Sequence, residues 1–199
     1  MATARLEPRR DESGATLLDL VVIATVIAVV GALAAPAAAN VVDASRARQA
    51  ASFISSRFRL ARQEAVARGV NVGVVFDQSG SRWSLRVCRD GTANGLRRVD
   101  IRSGADPCDE GPYDMNQLFP GLQIAVDATI TGPVGEPASS DPVRFGVADL
   151  ASFSPSGSCT SGSLFLRSDS GAQYAIRVAG ITGRVRVMRY QAAGGWLEQ

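Results

Sequence analysis

The chain has 199 residues, with 21 basic against 19 acidic side chains and a formal charge of +2, which suits one folded domain plus an accessory segment and gives no strong pull toward polyanions. Every basic residue is Arg, and there is no His. Without His, with three scattered Cys and no paired-carboxylate motif, the chain lacks the commonest general base and the commonest metal ligand, so it reads as a non-enzyme with no cofactor and no metal centre.

The first predicted element stands behind a polar leader, residues 1–14, which carries Arg5, Arg9 and Arg10 and ends at Gly14. Residues 20–39, LVVIATVIAVVGALAAPAAA, hold no charge over the roughly 20 residues a helix needs to cross a hydrocarbon core. Arginines ahead of such a run keep the leader in the cytoplasm and send the remainder outward. The small residues of AAPAAAN also suit a signal peptidase, so a cleaved secretory signal competes with a retained membrane helix. Asp19 argues for retention, because a carboxylate inside an apolar segment is costly in lipid and needs a partner.

Residues 40–69 continue as an amphipathic helix. Ala47, Ala50, Ile54, Phe58, Ala61 and Ala65 recur at spacings of three and four, and Arg46, Arg48, Arg57, Arg59, Arg62 and Arg68 occupy the polar side. That Arg-rich side reads as a solvated surface or as a binding face. Gly69 is placed to end the helix, which would run over residues 15–68 and lay its apolar stripe on a sheet.

From residue 70 to 199 the helical period gives way to short strand-like runs separated by turn residues: 70–76, 83–89, 97–101, 122–130, 143–147, 163–167, 173–179 and 184–190. The expectation is an α+β fold, a long amino-terminal helix packed on an antiparallel β head. The stretch from Cys88 to Pro142 carries no placeable motif and reads as a variable loop region.

Three residues in register carry a resemblance. Gly14 before the apolar run, Asp19 five residues later and Pro36 resemble the type IV pilin-like family, whose precursors are cut after a Gly and carry an acid at the fifth mature position. The junction RLARQEAVARGVNVGVVF and the late stretch FSPSGSCTSGSLFLRSDSGAQYAIRVAGITGRVRVMR resemble its GspH/FimT branch. The resemblance implies cleavage by a prepilin peptidase between Gly14 and Ala15 and methylation of Ala15. Asp19 would pair with the amino terminus of a neighbouring subunit, and Pro36 would loosen or bend the helix. Ala15 and Asp19 depart from the family's usual Phe or Met and Glu. The implied protein is a minor pseudopilin of the type II secretion system, at or near the tip of a periplasmic filament. It would be a single-pass inner-membrane protein with its head in the periplasm, whose partners are other pseudopilins and the inner-membrane assembly platform. The alternative is a FimT-like minor pilin serving pilus assembly or DNA uptake.

In an oxidising periplasm Cys88, Cys108 and Cys159 allow one disulfide and one leftover thiol. Cys88 with Cys108 is favoured, because it closes the Gly, Asn and Asp-rich segment between them; Cys88 with Cys159 stays open. Asp106, Asp109, Glu110 and Asp114 crowd one segment without the ligand spacing of a calcium loop, and read as a solvated acidic loop. In the last predicted strand, alternation puts Arg184 and Arg186 on one face, either facing solvent or gripping DNA phosphates.

Overall fold

The computed structural model describes residues 17–199, apart from the side chains of 34–40. Its chain divides into two compact units, Met1–Asn40 and Val41–Gln199. Helix α1 (Leu17–Arg68) contributes residues to both. In the first unit the side chains at 17–33 are exposed on every face, although most are Leu, Val, Ile or Ala. In the second unit Ala47, Ala50, Ala51, Ile54, Phe58, Ala61 and Ala65 are buried. Small residues dominate this stripe, and they let the helix backbone approach the head closely. Gly69, at a φ of 68°, ends the helix in the left-handed region while its amide donates to the Ala65 carbonyl at 3.0 Å.

The head holds two antiparallel sheets. Strands β1 (Val72–Ser79) and β2 (Arg82–Arg89) form a hairpin, followed by the short helix α2 (Arg98–Ser103), strand β3 (Cys108–Asp114) and the one-turn helix α3 (Met115–Leu118). Then come β4 (Leu122–Gln123), β5 (Val143–Arg144), β6 (Leu150–Phe153), β7 (Gly162–Ser168), β8 (Gln173–Val178), β9 (Val185–Gln191) and β10 (Gly195–Glu198). One sheet has the order β3-β2-β1-β6, and the other β10-β9-β8-β7-β4, with β5 also on β7. One apolar cluster joins the α1 stripe to both sheets. At its centre the Phe58 ring lies 6.1, 5.5 and 6.2 Å from those of Phe76, Phe145 and Phe153.

Three expectations are corrected. Residues 97–101, read as a strand, form most of α2, because the Arg98 side chain is drawn inward. Its guanidinium binds Asp77 at 2.8 Å and donates to the carbonyls of Phe76, Ala148 and Asp149, while Gly104 closes the turn at a φ of 81°. Residues 122–130 pair only at Leu122 and Gln123. The chain then turns at Asp127, whose carboxylate accepts from the Thr129 amide and hydroxyl, and β5 takes the next positions along the same edge of β7. The segment read as loop contains β3, which pairs with β2 through two register shifts.

Candidate functional site

At the amino-terminal end, Gly14 and Ala15 lie outside the described residues. Asp19 stands in the first turn of α1, and Pro36 falls within the helix. Among the described residues no helix is long and apolar enough to cross a membrane.

The structure joins Cys88 to Cys108 in a disulfide, across the edge pair β2–β3. The acidic segment beside it is no solvated loop. Asp106 is buried and accepts from the Gly91 amide at 3.0 Å and the Arg97 amide at 3.1 Å. Asp109 lies between Arg68 at 3.2 Å and Arg89 at 2.9 Å, and Glu110 binds Arg57 at 2.6 Å and accepts from the Tyr113 hydroxyl at 3.2 Å. Asp114 caps α3 by accepting from the amides of Asn116 and Gln117. Each carboxylate is used internally, and no metal-binding group of side chains occurs among the described residues. The same pairs correct the view of α1 as carrying a wholly solvated Arg face: Arg57 and Arg68 tie the helix to β3, with the Arg57 guanidinium over the rings of Phe53 and Tyr113 at 5.0 and 5.1 Å.

Arg184 and Arg186 stand on the outward face at the start of β9, and the intervening Val185 is buried. They share one carboxylate, since Glu198 of β10 lies 3.3 Å from Arg184 and 3.8 Å from Arg186. Missed by sequence reasoning is the convergence of Arg184 with α1. A cleft of about 330 Å³ is lined by Arg59, Arg62 and Gln63 of the helix and by Thr182, Gly183 and Arg184 of the β8–β9 turn. Arg62 donates through Nε to the Gly157 carbonyl at 3.1 Å. A Cβ on Gly183 would stand 2.5 Å from that carbonyl and 2.7 Å from the Arg62 side chain, so the turn closes on the helix only with Gly there. The available signal was the pairing of a Gly-Arg turn with two Arg three residues apart on a helix.

Nearby, Cys159 keeps a free thiol, half-buried, that donates to the Ala179 carbonyl at 3.5 Å. Burial pushes it up to about 11, against the smaller opposing influence of Arg62 and Arg177. A thiol so held is a poor nucleophile.

Against known proteins, residues 50–183 match the family model described as Type II transport protein GspH. The chain is 33% identical over 75 residues to the Type II secretion system protein H of Xanthomonas campestris pv. campestris, a stretch covering 38% of this chain and 44% of that relative. The match thus spans less than half the relative's length. One structure of the minor pseudopilin EpsH from the Type 2 Secretion System of Vibrio cholerae superimposes with a TM-score of 0.45 at 19% identity, covering 72% of this chain and 97% of that one. A second EpsH crystal structure gives 0.40 at 16% identity, covering 77% and 93%. The family match takes in most of the buried stripe of α1, the strands from β1 to β8 and the turn at Gly183, over more than half of the sequence, and by it the chain belongs to the GspH family of type II transport proteins.

Proposed function

We propose that the chain is a minor pseudopilin of the type II secretion system, a structural subunit at or near the tip of the periplasmic pseudopilus that supports protein export. The observation that carries this reading is the division of labour within α1. Its residues from Leu17 to Leu33 are apolar and exposed all round apart from a few polar positions, whereas from Ala47 onward one stripe is buried in the head. A helix that is apolar on every face seeks lipid or other helices, and the stripe makes the rest of α1 part of the head's own core. The family match supports the same reading.

In this reading residues 15–39 anchor the precursor in the inner membrane, single-pass, with the head in the periplasm, and later lie in the filament core. A prepilin peptidase cuts between Gly14 and Ala15 and Ala15 is methylated. Asp19 takes the charge of a neighbour's amino terminus, so both charges enter a low-dielectric core as a pair. Pro36 loosens the membrane half. The partners are other pseudopilins and the inner-membrane assembly platform. Intact-mass and amino-terminal analysis of membrane-extracted protein, with and without the prepilin peptidase, tests it. A methylated chain beginning at Ala15, formed only with the peptidase, is expected; a cut near Ala39 or an intact leader would overturn the filament reading.

A further inference from the structure

The cleft between α1 and the β8–β9 turn is cationic and has apolar borders. Arg59, Arg62 and Arg184 line it and no carboxylate does. Arg62 is held in place by the Gly157 carbonyl, which leaves its terminal nitrogens without a hydrogen-bond partner among the described residues, and Arg59 makes no ion pair there. A positioned guanidinium of this kind loses little freedom when it binds a planar anion. Along the same helix face a shallow groove continues past Arg62 and Gln63 to Val66 and Ala67. Val66 is exposed, and Ile181, next to the cleft in the turn, is 92% exposed. A β-branched side chain so fully in water at the tip of a tight turn has no role in the head's own core.

We propose that this cleft docks an acidic segment of a neighbouring filament subunit, a Glu or Asp carboxylate entering between Arg59, Arg62 and Arg184 while an aliphatic side chain packs on Val66 and Ile181. Charge complementarity argues for an anion, and the aliphatic borders argue for a polypeptide. A nucleic-acid phosphate chain would gain nothing from Val66 and Ile181, and Glu198, which already neutralises part of the Arg184 and Arg186 charge, weighs more against a run of phosphates along β9 than against a single carboxylate in the cleft. Arginine is among the residue types enriched in the energetically dominant part of a protein interface, and its planar fork suits a carboxylate.

The test uses the full chain in non-ionic detergent micelles. A short labelled peptide alternating glutamate and leucine is titrated by fluorescence anisotropy at low ionic strength, with its glutamine counterpart and a short DNA duplex as comparisons. The glutamate peptide is expected to bind at least about 10-fold more tightly than the glutamine peptide, and to weaken with salt. Replacing Arg59→Gln together with Arg184→Gln should lower its affinity about 10-fold with an unchanged unfolding temperature, while Arg46→Gln with Arg102→Gln, an equal loss of charge elsewhere, should leave it unaltered. Absence of peptide binding, equal binding of the two peptides, equal effects of the two double variants, or tighter Arg59- and Arg184-dependent binding of the duplex would each overturn the proposal. The inference rests on the filament reading only for the identity of the partner. A precursor left uncut before Ala15 removes that reading and leaves the peptide result standing; failure to bind peptide removes this inference and leaves processing untouched.

Discussion

Asp90 sits 5% exposed at the end of the β2 strand, where burial pushes its carboxyl up, yet hydrogen bonds from the Asn71 side chain and the Gly95 and Thr92 amides outweigh that and hold it below the usual carboxylate range. A folded value below the unfolded one means the carboxylate contributes stability above the unfolded value, near 3.9, and loses it as pH falls through the folded value. Asp90→Ala leaves the two loop amides without their acceptor and should cost about 1–3 kcal/mol at neutral pH. Urea titrations across pH should show that deficit shrinking as the medium is acidified below about pH 4, as the parent loses the same contribution. Cys159 behaves in the opposite sense: its thiol is raised, so almost none is thiolate at mildly alkaline pH. Iodoacetamide should label it slowly in the native protein and rapidly after denaturation, as mass spectrometry over time would record.

Among the elements, the second half of α1 was legible from its apolar spacing of three and four, its first half from an unbroken apolar run, and the hairpin β1–β2 from short apolar runs on either side of a Ser-Gly turn. The two-residue repeat of Arg97, Val99 and Ile101 misled, since on a helix residues two apart lie about 200° apart. Val99 is accordingly exposed and Ile101 buried. What makes the helix there is distant in sequence, namely the carbonyls at 76, 148 and 149 that receive Arg98, and Asp106 at the Arg97 amide. Strand β3 was invisible for the opposite reason: CDEGPYD is poor in strand formers, and its pairing is held by the disulfide and by Arg57, Arg68 and Arg89. Of the cleft, Arg184 was legible from strand alternation and Arg59 and Arg62 from the polar side of α1, but their convergence was not, because nothing local says that a turn near residue 183 folds back onto that helix. The disulfide links cysteines 20 residues apart, and in the chain-entropy picture closing such a loop is worth about 3 kcal/mol. Replacing both Cys88→Ser and Cys108→Ser should lower the denaturant midpoint accordingly, and reductant should shift the parent but not the double variant.

At the scale of the whole molecule, the question is which part of α1 the head needs to fold. The second unit begins at Val41 and contains every buried position of the alanine stripe. Phe58 alone touches rings from β1, the β5 end and β6, and truncating such a side chain typically costs about 3–5 kcal/mol, a large share of the roughly 5–15 kcal/mol that holds a domain together. A chain starting at Val41 and made in an oxidising compartment should therefore fold, and should unfold in calorimetry within a few degrees of the full chain in detergent. One starting at Val70 loses the stripe, Phe58 and the Arg57 and Arg68 pairs to β3 together, and should show no cooperative transition. A Val41 chain that failed to fold would mean that residues before it carry head stability, and the division of α1 into an assembly half and a core half would be lost.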